Sequence, residues 1–225
     1  MTILEVKQLK KNYGSGPTAV HALDNVSMSV DRGEFVAVVG TSGSGKSTLL
    51  NMFGGLDRPT SGSVTIDDKK LFTLKEEELT IFRRRKIGFI FQNFNLVPTL
   101  NVYENIVLPI QLDGNKPDKN YIKQIIQTLG LESKLQNLPN QLSGGQQQRV
   151  TIARALATKP AIVLADEPTG SLDSKTSQDV MGLLKVTGER FNQTIVMITH
   201  NEELAQLADR IIRIEDGKIS GGDGI

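Results

Sequence analysis

Residues Gly40-Thr41-Ser42-Gly43-Ser44-Gly45-Lys46-Ser47 fit the spacing G-x-x-x-x-G-K-[ST] of a phosphate-binding loop. Glycines at these positions let the backbone curl, so that successive N–H groups point inward at phosphate oxygens. A helix starting near Gly45 adds the positive end of its dipole. In such a loop Gly40, Ser42, Gly43, Ser44 and Gly45 build the cradle and Lys46 reaches the β- and γ-phosphates. Ser47 offers a hydroxyl to Mg²⁺, and Thr48 touches the α-phosphate. The pattern fixes only four positions, and a glycine-rich turn with an incidental lysine is the competing reading. Context favours the phosphate loop, because a Val-rich apolar run (34–40) precedes it and a helical stretch (46–54) follows. A second candidate lies at Asp166-Glu167, where the apolar run 161–165 ends. Ligands of open α/β sheets bind beyond the carboxyl ends of strands. Asp166 there can hold Mg²⁺ through water, and Glu167 can polarise an attacking water. Alone, an Asp-Glu pair after a strand reads as solvated acid; beside a phosphate loop it reads as catalytic.

A second glycine pair occurs in Leu142-Ser143-Gly144-Gly145-Gln146. Ser143 is a good N-cap for the helix that follows, and the glycines leave backbone N–H groups open to an anion. This segment resembles the signature motif of the ATP-binding cassette (ABC) ATPases. Other positions match that family in order. Tyr13 resembles the aromatic that stacks on adenine, and Gln92 the glutamine of the Q-loop. Ser171-Leu172-Asp173 resembles the D-loop, and His200 the switch histidine after its strand (194–199). Bland alternatives remain: Tyr13 as an ordinary strand aromatic, Gln92 as a polar strand end, His200 as a solvated loop histidine. His21, the other histidine, is read as structural or surface.

The resemblance implies two copies dimerised head to tail, each ATP lying between the phosphate loop of one chain and the signature of the other. Ser143, Gly144, Gly145 and Gln146 then contact the γ-phosphate of the ATP held by the second copy. Glu167 becomes the general base, and His200 holds the γ-phosphate and the attacking water. Asp173 connects the two sites, and Gln92 senses Mg²⁺ and the γ-phosphate. Residues 166–170, 142–149 and 54–62, with Leu108-Pro109, are similar to the branch of macrolide exporters, lipoprotein-release complexes, peptide-antibiotic resistance pumps and the cell-division cassette. Ser171 departs from that branch, which usually has Asn or Ala there. The implied partners are an integral membrane permease at the cytoplasmic face of the membrane and, beyond it, an extracytoplasmic adaptor. A cell-division scaffold, a soluble ABC ATPase and a metabolite kinase are the alternatives. The kinase does not explain residues 142–146.

The elements that must position these residues alternate between strand and helix. Strands are expected at 3–10, 22–30, 34–40, 63–67 (in an edge sheet), 87–92, 161–166 and 194–200, with a closing hairpin of 210–215 and 218–220. Helices are expected at 46–54, 76–86, 101–111, 118–129, 145–158, 174–190 and 202–208. The span 93–159 contains no convincing buried strand and reads as a helical insertion. The expected fold is α/β: a phosphate-loop NTPase core with a mostly parallel sheet, an N-terminal antiparallel subdomain and a helical subdomain. One domain is expected over 1–225, with 1–92 and 160–225 forming core and β subdomain and 93–159 the helical part.

The 225 residues carry 26 Lys+Arg against 25 Asp+Glu, a net charge of +1. That balance gives no basic excess of the kind nucleic-acid phosphates demand, and no nucleic-acid partner is expected. Arg83-Arg84-Arg85-Lys86, at the end of a helix with acids at its start, reads as a solvated face matched to the dipole. With no cysteine, disulfides, thiol catalysis and zinc–thiolate sites are excluded in this chain. No apolar run approaches the ~20 residues of a membrane helix. Residues 1–10 lack a signal-peptide core, so a soluble, cytoplasmic-type protein is expected.

Overall fold

The computed structural model describes residues 1–222. Residues 223–225, included in the expected domain, lie outside the described residues. Two sheets form the frame. In the first, β1 (Thr2–Tyr13) pairs antiparallel with β2 (Val20–Asp31) on one side and with β4 (Ser61–Ile66) on the other. The short β5 (Lys69–Lys70) closes the order β2-β1-β4-β5. The strand expected in an edge sheet, 63–67, lies here as β4. The two-residue β5 forms this sheet's edge, ending in lysines that blunt further pairing.

The second sheet has the order β10-β9-β3-β8-β7-β6. Its members are β3 (Phe35–Val39), β6 (Ile87–Ile90), β7 (Ile162–Asp166), β8 (Ile195–Thr199), β9 (Arg210–Glu215) and β10 (Lys218–Gly222). All neighbours run parallel except the terminal β9–β10 pair, joined by the turn at Asp216-Gly217. Every residue of β3 and β8 is buried, as expected of parallel strands covered on both faces.

Successive side chains of a strand face opposite ways, and here the alternation sorts the core. Phe35, Ala37 and Val39 pack with residues of α3 (Val102–Leu112), α4 (Lys119–Thr128), α5 (Gly144–Ala157) and α6 (Ser174–Phe191). Val36 and Val38 pack with α1 (Lys46–Phe53), with Leu79 of α2 (Glu76–Lys86) and with the antiparallel sheet. The parallel sheet is thus the central layer, with helices on one face and α1 plus the antiparallel sheet on the other.

The helices start where the caps indicate. Asn101 accepts from Glu104 N at 2.9 Å while Glu104 Oε2 accepts from Asn101 N, a reciprocal capping box. Asp118 and Asp173 cap α4 and α6. The last expected helix, 202–208, is a single four-residue turn, α7 (Glu202–Ala205). The basic end of α2 is not a free solvated face. Arg84 and Arg85 both grip the Asp113 carboxylate at 2.7 Å, Arg83 donates to Gly55 O, and Lys86 pairs with Asp67. These contacts tie α2 to the C-terminal end of α3 and to β4's following turn.

Candidate nucleotide site

The carboxyl ends of three adjacent strands, β3, β8 and β7, emerge side by side, with Val39 beside Thr199 and Ile198 beside Asp166. The phosphate loop leaves β3, His200 follows β8, and Asp166-Glu167 ends β7. Residues 167, 200 and 40–48 therefore converge although up to 160 positions separate them in sequence (200 − 40).

A groove of about 760 Å³ opens there, lined by Ser42, Gly43, Gly45, Lys46, Ser47 and Thr48 of the loop, by Glu167 and His200, and by Tyr13 at one end. Gly45 has φ +105, and an added Cβ would lie 2.4 Å from Ala22 O, so only glycine fits. Gly40 lies under Ile214 O and Ser44 Oγ, and Ser44 is buried with its hydroxyl unpartnered. The first turn of α1 begins at Lys46, and its N–H groups have no partner within the helix. Lys46, only 6% exposed, donates to Gly40 O and Thr41 O, both at 2.7 Å. Burial pushes its pKa down, opposed by the charges of Glu167 and Asp166. Its ammonium is thus fixed at the hub of the loop, a concentrated positive charge inside a ring of amides.

Glu167 sits at φ +42, an unusual left-handed conformation for a non-glycine residue. Its N–H donates to Ile198 O and its carbonyl accepts from Gly170 N. Such backbone strain costs on the order of 1–3 kcal/mol and clusters at functional sites. Here it turns the side chain back into the groove, where Oε2 meets His200 Nδ1 at 2.8 Å. An ionised carboxylate only accepts, so this contact puts a proton on Nδ1. Asp166, half-buried behind it, has its pKa raised by burial first and by Glu167 second, with Lys46 opposing.

Among the described residues no cluster of three or more His, Cys, Asp and Glu could hold a metal ion by itself. The oxygen donors at the loop and the end of β7 are Ser47 and Asp166, a hard pair that suits Mg²⁺ sharing its shell with phosphate and water. Burial first and Glu167 second raise the pKa of Asp166, so a cation bound beside it would favour its ionised form. The residues present therefore fit such an ion.

Other expected site residues stand outside the groove. Gln92 lies two residues beyond β6, not within it, because the strand ends at Ile90. Its carbonyl accepts from Ser171 Oγ at 3.1 Å, and its side chain lies over Gly170. Ser143 caps α5 by accepting from Gln146 N, while Ser143 N donates to Gln146 Oε1. Gly144 and Gly145, expected to offer amides to an anion, also have a packing reason to be glycine: a Cβ there would come within 2.9 Å of Leu172 and 2.5 Å of Thr176. Asp173 accepts from Thr176 N and Thr176 Oγ1, and those hydrogen bonds hold its pKa below the usual carboxylate range. The signature motif and the Ser171–Asp173 segment thus pack on each other, apart from the groove of their own chain.

The groove also has walls that the sequence did not single out. His21, read as structural or surface, stands exposed on its rim with Val20 and Ala22. Asp216 and Gly217 of the β9–β10 turn line it too, Gly217 N donating to Ser44 O. Asp57 accepts from the Tyr13 hydroxyl at 2.8 Å. No local signal could have joined positions 13 and 57.

A family model described as "ABC transporter" matches residues 23–170. The chain belongs to the ABC transporter family. Family members similar to it include the macrolide export ATP-binding/permease protein MacB of Aggregatibacter actinomycetemcomitans, 49% identical over 221 residues. That match covers 97% of this chain and 34% of MacB, so the chain spans about a third of the macrolide-export relatives. An uncharacterised ABC transporter ATP-binding protein of Methanocaldococcus jannaschii, MJ0796, is 47% identical, with 96% of this chain and 95% of that protein covered. Among solved structures, the dimeric post-hydrolysis state of the ATP-binding cassette MJ0796 bound to ADP and Pi has a TM-score of 0.86 and 44% identity, over 98% of both chains. The α/β ABC ATPase fold, with antiparallel sheet, mostly parallel main sheet and helical subdomain, is shared with it.

Proposed function

We propose that this chain is the ATP-hydrolysing subunit of an ABC transporter of the macrolide-export type, acting as a head-to-tail pair on a membrane permease. The observation that carries the proposal is the convergence of Lys46, Ser47, Glu167 and His200 in one groove at the carboxyl ends of β3, β7 and β8.

ATP lies along the groove with its phosphates in the amide ring of residues 40–48. Lys46 neutralises the β- and γ-oxygens. Ser47 and Asp166, with Gln92 brought in from its loop, would hold Mg²⁺, which would supply positive charge to offset that of the phosphates. Glu167 accepts a proton from a water aligned with the γ-phosphorus as the bond to ADP breaks. His200, its Nδ1 proton directed to Glu167, orients that carboxylate. Its other ring nitrogen donates to the γ-phosphate when the ring carries both protons. Positioning and charge stabilisation do most of this chemistry.

Ser143, Gly144, Gly145 and Gln146 lie away from their own groove and present a helix N-terminus to solvent. They close over the ATP of a second copy, and Asp173 links the two sites. The relative that MJ0796 represents is dimeric with ADP and Pi, which supports this arrangement. No helix of the described residues is long and apolar enough to cross a membrane. The energy of closure passes to the membrane permease. That assembly sits at the cytoplasmic face, with an extracytoplasmic adaptor as a further partner. Residues 1–92 and 160–225 act as the core and 93–159 as the arm that carries the signature.

Glu167→Gln tests the reaction. ATP binding and pairing of two chains are expected to persist while turnover falls by about 10²–10⁴-fold, the range for a general base. Unchanged turnover would contradict the assignment.

A further inference from the structure

We infer that Asp57 and Lys11 are positioning residues that lock the Tyr13 ring as a platform for the nucleotide base. Asp57 accepts from the Tyr13 hydroxyl at 2.8 Å through Oδ2, and from Lys11 Nζ at 2.7 Å and Arg58 N at 2.7 Å through Oδ1. Lys11 also donates to Arg58 O and places its ammonium 4.7 Å from the centre of the Tyr13 ring. Lys11 and Tyr13 are two apart on β1, so both project to one face of the strand.

One face of the ring is therefore covered by a cation. Its hydroxyl is tethered, and the ring remains 41% exposed on the groove that holds the phosphate loop. The ammonium draws on the π-electrons from behind and fixes which face is offered. Lys11 is itself only 12% exposed, so the arrangement is built in rather than a loose surface pair. The segment 54–60 carrying Asp57 is the continuation of α1, and it is stapled to β1 by Thr60 N to Lys10 O and Asn12 N to Thr60 Oγ1. The helix whose first turn cradles phosphate thus runs ~12 Å to the loop that orients the ring. Phosphate cradle and base platform are held at a fixed separation.

This rests on the proposed ATP site. The experiment is equilibrium binding to the whole chain of Mg²⁺-ATP and of Mg²⁺-tripolyphosphate, which has the phosphates and no base. Wild type is compared with Asp57→Ala, Lys11→Met and Tyr13→Phe, the last removing only the tethered hydroxyl. Each variant should weaken ATP about three- to tenfold, the cost of ordering one free side chain on binding, and leave tripolyphosphate unmoved. KM for ATP should rise with little change in kcat. The Asp57→Ala/Tyr13→Phe double variant should lose no more than either alone. Unchanged ATP affinity in Tyr13→Phe and Asp57→Ala, parallel loss of both ligands, or additive losses would each overturn the inference. Wild type binding tripolyphosphate as tightly as ATP would overturn it while sparing the phosphate site. Wild type binding neither would overturn the proposed function and this inference with it.

Discussion

His200 Nδ1 and Glu167 Oε2 are 2.8 Å apart, across the ends of two neighbouring strands. The two side chains differ in what they cost the fold. Glu167 is held in a strained backbone, whereas the His200 side chain is 64% exposed. His200→Ala should therefore change stability by no more than about 0.5 kcal/mol, as for an ordinary surface site. Turnover should still fall by at least about tenfold, because the base loses its orienting partner. Thermal melts and steady-state ATP hydrolysis on the same preparation check this. A stable variant with normal turnover would contradict it.

Lys46→Ala should weaken ATP binding by about 10- to 100-fold, the range for losing charge-assisted hydrogen bonds to phosphate. Titration with a fluorescent ATP analogue reads the loss directly. Normal affinity would remove the phosphate loop from the account.

The pKa shifts predict opposite pH signs for two aspartates. Asp166 has a raised pKa in the folded chain, so its ionised form weakens the fold once pH exceeds the carboxylate range. Asp166→Asn should raise the melting temperature at pH 7, with a gain that shrinks as pH falls through that range, while hydrolysis is lost. Asp67 has a lowered pKa, held down by Lys86 first and by Arg32 as well. Its contribution is present above the unfolded-state pKa and lost as pH falls through the lowered value. Asp67→Asn should therefore lower the melting temperature at pH 7 and converge on wild type in acid.

Gly145→Ala should destabilise the chain by about 1–3 kcal/mol, as overpacking does, because the new methyl meets Thr176 at 2.5 Å. Gly43→Ala has open space around it but φ +80. It should cost less, about 1 kcal/mol of backbone strain, and act mainly on nucleotide binding. Denaturant unfolding of the two variants ranks them.

What the sequence made legible is what local chemistry encodes. The apolar runs of β3, β7 and β8 appear where burial demands them, and Ser143 as the N-cap of its helix could be read from residue type and place. The phosphate loop and Asp166-Glu167 announced themselves by residue type at strand ends. What stayed hidden depends on partners distant in sequence. Gly144 and Gly145 read as bare amides, yet they also make room for Leu172 and Thr176 of another element. Arg84 and Arg85 read as solvated until Asp113, almost thirty positions on, is seen between them. The two-residue β5 beside residues 63–67 stayed unseen because it carries too few residues to show alternation. Gln92 fell outside its strand because Phe91 carries the apolar run past Ile90, whereas the strand ends where its pairing with β7 ends.

The central claim is that a working site takes its phosphate loop from one copy and its signature from another. Mixed dimers of a Lys46→Ala chain with a Ser143→Arg chain test it directly. Each variant alone is expected to be inactive, since both of its sites carry the defect. The mixture should recover hydrolysis, because one of the two sites in a mixed pair is intact. Absence of any recovery, with mixed pairs demonstrably formed, would contradict the shared site.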